Sequence, residues 1–122
     1  MAAPWNCLDI ADGSANWFQF RRDANDRVQF VYVPITRAQS SSGMYDGGPA
    51  RQEELAANDA RLIELWTALQ RLEADTSKHQ PERSKGTGAI SWAGPKDKRD
   101  FIVQMGAPGL DELLALLTRF GA

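Results

Sequence analysis

Apolar residues recur along this chain with two different periods, and the switches between them mark its elements. Leu62, Leu65, Trp66, Leu69 and Leu72 fall at i, i+3, i+4, i+7 and i+10, one stripe of a helix about 15 residues long. Asn58 stands where an N-cap belongs, and Asp59 lies near the positive end of the helix dipole. Leu110, Leu113, Leu114, Leu117 and Phe120 make a second stripe. Asp111 and Glu112 sit in its first turn, Arg119 in its last, and Gly121 is placed as a stop. Elsewhere the pattern belongs to strands. Trp17–Phe20 and Val28–Ile35 are rich in aromatic and β-branched residues, with turn chemistry at Asp23–Asp26 between them, so they read as a hairpin. In its second strand Val28, Phe30 and Tyr32 point one way and Val31, Val33 and Ile35 the other, so both faces carry apolar residues. Pro34 lacks a ladder donor and marks the strand's end or an edge position.

Arg51–Leu55 reads as a short polar edge strand or the first turn of a helix, with the strand preferred. Gly88–Gly94 and Asp100–Met105 are two further strands, joined through the turn signal Gly94-Pro95. Residues 1–16 show no sustained period and read as an irregular lead-in, with Trp5 tucked against the body. Thr76–Lys85 is polar, contains Pro81 and reads as a surface loop. The order ββ-loop-α-ββ-α predicts one α+β domain over residues 1–122. Its expected form is a mainly antiparallel sheet of four or five strands with both helices on one face, which would cover both apolar stripes in two layers.

Composition changes this picture little. Hydrophobic residues at 43% and charged residues at 25% of 122 are ordinary for a globular domain, and a chain of this length buries about two thirds of its unfolded surface. A net charge of −2 and a pI near 5.3 argue against general binding to nucleic acid or anionic lipid. Cys7 is the only cysteine, so no intramolecular disulfide forms. The start, Met1-Ala-Ala-Pro-Trp-Asn-Cys7, has neither a basic nor an apolar signal region, and no apolar run approaches the roughly 20 residues of a membrane span. A cytoplasmic protein is expected.

Candidate chemistry is sparse. His79 is the only histidine, and beside Lys78, Gln80 and Pro81 it reads as a solvated loop residue; an enzyme would have it as the only conventional base. A His-rich metal site is excluded, and no cofactor or catalytic residue is expected. Ser84-Lys-Gly-Thr-Gly88 has its lysine before the glycines and a strand after them, so it reads as a glycine-rich approach to that strand rather than a phosphate loop. Glu53-Glu54 and Glu73/Asp75 read as solvated carboxylates, because pKa tuning requires burial that polar surroundings do not suggest.

Two segments remain. Arg37–Arg51 is Ser/Gly-rich yet carries the large side chains Met44 and Tyr45, which a mere connection would not need. Read as a contact loop, it offers Tyr45 as an anchor beside Met44, Ser41 and Asp46, with Arg37 and Arg51 as polar clamps at its ends. Read as a connector, it is a long hairpin loop without a partner. The second segment is basic: Lys78, Arg83, Lys85, Lys96, Lys98 and Arg99 are opposed only by Glu82 and Asp97. With Trp92 among them, these are ingredients of single-strand nucleic-acid or anionic-ligand binding, although Trp92 at a strand centre also reads as core.

Paired strands around the Ser/Gly-rich turn Arg37-Ala-Gln-Ser-Ser-Ser-Gly-Met-Tyr-Asp-Gly-Gly48, then an Asp/Glu/Leu-rich helix, a second hairpin and a Leu-rich C-terminal helix, resemble the emfourin-type proteinaceous inhibitors of thermolysin-like metalloproteases. The resemblance covers residues 28–120 in order of elements. This chain is longer in the 37–51 loop and before residue 28, and its Thr76–Lys85 loop is not expected from that family. The resemblance implies a non-catalytic protein that binds a protease through the 37–51 loop. The leading expectation is therefore a protein-binding module using that loop, with its partner and oligomeric state undetermined; the alternative is an anion-binding module using the basic residues of 78–99.

Overall fold

A computed structural model describes residues 4–121. Seven strands form one antiparallel sheet: β1 Cys7–Ala11, β2 Trp17–Arg22, β3 Arg27–Val33, β4 Arg51–Ala56, β5 His79–Gln80, β6 Gly88–Ala93 and β7 Lys98–Val103, in the spatial order β4-β3-β2-β1-β6-β7-β5. Helix α1 spans Ala60–Ala74 and helix α2 spans Pro108–Leu117. The α+β class agrees with the sequence, and the strand number is corrected from four or five to seven.

The two additional strands come from segments read as irregular. Residues 7–11 alternate, and β1 is the seam of the sheet, paired with β2 through Leu8↔Phe20 and with β6 through Leu8↔Trp92. Leu8 and Ile10 are fully buried, while Asp9 on the opposite face holds Arg21 in a two-pronged contact at 2.8 and 3.2 Å. Trp5 is buried as expected. Residues 1–3 of the lead-in lie outside the described residues. Within Thr76–Lys85, one 3₁₀ turn, Thr76–Lys78, is followed by β5, which pairs with β7 at the sheet edge. His79 is consequently half-buried, its ring stacked on Phe101 at 4.8 Å, and its Nε2 donates to the Leu72 carbonyl at 2.9 Å.

The pleat sorts side chains onto two faces. Leu8, Ile10, Phe18, Phe20, Val28, Phe30, Tyr32, Leu55, Ile90, Trp92 and Val103 turn toward the helices and form one core with Leu62, Leu65, Leu69, Leu72, Leu110, Leu113 and Leu117. Each fully buried large apolar side chain stabilises the fold by about 1.5–3 kcal/mol. Beyond α2, Phe120 inserts between Phe20 and Phe30, with ring centroids at 5.2 and 5.4 Å. Trp92 belongs to this core: its ring meets Trp66 edge-on at 5.3 Å and its Nε1 donates to Glu73 at 2.7 Å.

Asp59, one residue after the expected Asn58, caps α1, its carboxylate accepting the Arg61 N–H at 2.9 Å. The Arg61 guanidinium donates to Glu53 on β4 at 2.7 and 3.0 Å, to Asp59 at 3.0 Å and to the Arg119 carbonyl at 3.0 Å. Gly121 N–H adds a bond to Glu53 at 2.8 Å. Glu53 is thus a structural partner rather than a solvated carboxylate, and Arg61 ties the edge strand, the start of α1 and the C-terminal segment together.

Candidate interaction site

The loop between β3 and β4 begins at Pro34 and is pinned at its base. Asn16, buried in the β1–β2 turn, accepts the Ile35 N–H through Oδ1 at 2.8 Å. Its Nδ2 donates to Asp12 at 2.9 Å and to the Tyr45 hydroxyl at 3.1 Å. Across the base, Gly47 N–H donates to the Ile35 carbonyl at 2.9 Å, and the Tyr32 hydroxyl donates to the Gly47 carbonyl at 2.7 Å. Burial above all, then the neighbouring Asp12, raises the Tyr32 pKa and keeps that hydroxyl a donor. Glycine is required at position 47: a Cβ there would lie 2.0 Å from Asn16 Oδ1 and 2.7 Å from Pro34 Cβ.

Above this base the loop is braced internally. Gln39 N–H bonds to Thr36 O at 3.0 Å and Gly43 N–H to Ser40 O at 3.1 Å, with Gly43 at φ +71°. Met44 N–H donates to the Ser42 hydroxyl at 3.2 Å, and Arg37 Nε pairs with Asp46 at 3.2 Å. Asp46 also caps Gly48 N–H at 3.0 Å. These bonds hold Met44 in solvent, with 81% of its surface exposed, while Tyr45 is tethered through its hydroxyl.

The sheet face opposite the helices continues this surface. Val33 pairs with Trp17, Trp17 with Ala11, Ala11 with Ala89 and Ala89 with Ile102, an apolar row across five strands. Val33 and Trp17 are its exposed end and, with Pro34 and Ile35, line a shallow depression of about 320 Å3 at the foot of the loop. Adjoining it, through Ala15, Ile35 and Gln39, is a cleft of about 600 Å3, bounded by Ser40–Ser42 and Tyr45 on one wall and by Arg83–Lys85 on the other. Gly13, which also lines it, packs closely on the next turn: a Cβ there would come within 2.8 Å of the Gly86 backbone.

The candidate residues are therefore distributed unevenly. Arg37, Ser41, Met44, Tyr45 and Asp46 share the loop. Arg51 is turned away, its guanidinium over the Tyr32 ring at 4.7 Å. The six cations do not form one patch. Arg83 and Lys85 face the serine loop, Lys78 lies between the end of α1 and the start of α2, and Lys96, Lys98 and Arg99 sit at the opposite end of the β6–β7 hairpin. Asn16, Trp17 and Val33 were not singled out from sequence as site residues. The signal for Val33 was present in the two-sided apolar strand; Asn16 carries none, since its role needs three separate segments.

Among the described residues no cluster of three or more His, Cys, Asp or Glu side chains is arranged to hold a metal ion, and no helix is long and apolar enough to cross a membrane. Comparison with known protein families, curated proteins and solved structures finds no match to this chain.

Proposed function

We propose that this protein is a non-catalytic binding module that engages another protein through the 37–46 part of its long loop, with Met44 as the leading anchor and Tyr45 beside it. The carrying observation is the display of Met44, 81% exposed on a loop bonded at its base and along its length. A large apolar side chain held out by a pre-ordered loop loses little conformational freedom on docking, which favours affinity. Trp17 and Val33 add exposed apolar area at the foot of the loop, and aromatic residues are enriched at such contacts. Insertion of the loop into the cleft of a metalloprotease is the specific form that the emfourin resemblance suggests, and a cytoplasmic setting suits the single cysteine.

The test uses the wild-type protein beside a Met44→Ala variant. Both are first assayed as inhibitors of a thermolysin-like metalloprotease, and both are then used to capture partners from native lysate, with the affinity of any captured protein measured in purified form. Truncation of an interface anchor weakens binding by about 1–3 kcal/mol, so a partner or protease that binds Met44→Ala that much more weakly supports the reading. Equal affinity for both proteins removes Met44 from the contact and overturns it.

A further inference from the structure

The cleft between the serine loop and the 83–85 turn carries chemistry that a docked Met44 does not use. Its walls hold two cations, Arg83 and Lys85, and a run of hydroxyls at Ser40, Ser41 and Ser42, joined by the Tyr45 hydroxyl, and no carboxylate lines it. Among the described residues eight salt bridges form, and neither cation takes part in one. Asp12 and Asp46, the acids beside the β1–β2 turn and within the serine loop, are engaged: Asp12 accepts the Ser14 and Asn16 N–H groups, and Asp46 holds Arg37 and Gly48. Glu82, next to Arg83 in sequence, does not line the cleft and forms no salt bridge with either cation.

The cationic wall is also ordered from within. Arg83 donates one guanidinium N–H to the Thr87 carbonyl at 2.9 Å, which orients the group and leaves most of its five donors unused. Thr87, itself buried, donates to Ser84 O at 2.7 Å and accepts Ser84 N–H at 3.3 Å, so the turn carrying Lys85 is closed. On the other wall the Tyr45 hydroxyl accepts the Asn16 amide, and its own proton is free to be donated.

We propose that this cleft binds a small organic phosphate, with the phosphoryl group held between Arg83, Lys85 and the Ser40–Ser42 hydroxyls and the organic body lying toward Tyr45 and Ile35. A planar fork of donors and a compact ammonium suit a tetrahedral dianion, and neutral hydroxyl donors complete its oxygens without adding charge. A volume of about 600 Å3 lies in the range of small-molecule sites and exceeds the needs of a bare ion. This site goes beyond the protein-binding reading: it shares Ser40–Ser42 and Tyr45 with the loop but is decided by Arg83 and Lys85 rather than by Met44, so either can fail alone.

The experiment titrates the isotopically labelled full chain with phenyl phosphate and with inorganic phosphate, at ionic strength held constant with potassium chloride, and follows the backbone amides. Saturable shifts at Ser40–Ser42 and Lys85, with a Kd of about 1 mM or tighter for phenyl phosphate and weaker binding of inorganic phosphate, are expected. Lys85→Gln, which leaves the Arg83–Thr87 bond in place, should weaken phenyl phosphate by about tenfold, the effect of losing one charge-assisted contact, with the remaining spectrum unchanged. Absence of saturable shifts, equal shifts with chloride alone, or unchanged affinity in Lys85→Gln overturns the proposal. Tighter binding of a single-stranded oligonucleotide, with shifts spreading to Lys96–Arg99, overturns it in favour of a general polyanion surface.

Discussion

Two side chains carry more of this architecture than their neighbours in sequence suggest. Asn16 satisfies groups from three segments, and truncation to Ala leaves the partly buried Ile35 N–H without its acceptor and removes one of the three bonds to Asp12. Asn16→Ala should lower stability by about 1–3 kcal/mol, read as a lower urea midpoint at unchanged m value, and the Tyr45 amide should lose its dispersion as the tether goes. Arg61 is the second such residue. Its guanidinium, with Gly121 N–H as a second cause for Glu53, holds the Glu53 and Asp59 carboxyls below the usual carboxylate range. A pKa depressed on folding stabilises the protein at pH values above the unfolded pKa, and the contribution is lost as pH falls through the folded value. The urea midpoint should therefore drop as pH is lowered below about 5, and Glu53→Gln, less stable at neutral pH, should show a shallower drop. Parallel pH profiles in the two proteins would place the acid sensitivity elsewhere.

At the scale of elements, β1 and β3 make a controlled comparison. Leu8 on β1 is fully buried, whereas Val33 on β3 is 44% exposed on the open face. Leu8→Ala should cost about 2–5 kcal/mol and Val33→Ala no more than about 0.5 kcal/mol, measured by chemical denaturation; comparable losses would mean that the open face is covered in solution. The same comparison shows what the sequence made legible. Both helices announce themselves through leucine spacing that only a 3.6-residue period explains, and the β2–β3 and β6–β7 hairpins through aromatic and β-branched runs around turn residues. Cys7–Ala11 does alternate, but five residues with an Asp inside give little periodic signal, and its centrality comes wholly from partners at residues 17–22 and 88–93. β5, with two residues, has no local signature at all. The 37–51 loop was visible as composition, its bracing by Asn16 was not, and the basic run looked continuous only because the turn that sends Lys96–Arg99 to the far end of the sheet is a fact of pairing.

For the whole molecule, one layer of helices covers one face of the sheet, and the end of the sheet where the β1–β2 turn, the 37–51 loop and the 83–87 turn meet gathers the features of interest. Met44 at the tip of the loop, the Trp17/Val33 step at its foot and the cationic cleft against Ser40–Ser42 all adjoin the same segment. The seam at β1 has a consequence during synthesis. The ribosome delivers β1, β2, β3 and β4 as a meander well before β6, which ends at Ala93. Until then the backbone donors and acceptors of Cys7–Ala11 facing away from β2 have no strand beside them, and the equivalent segment of another nascent chain can supply one. Among the strands that end up paired on both sides, the one at the centre of the finished sheet is the one whose second edge the growing chain must leave open longest.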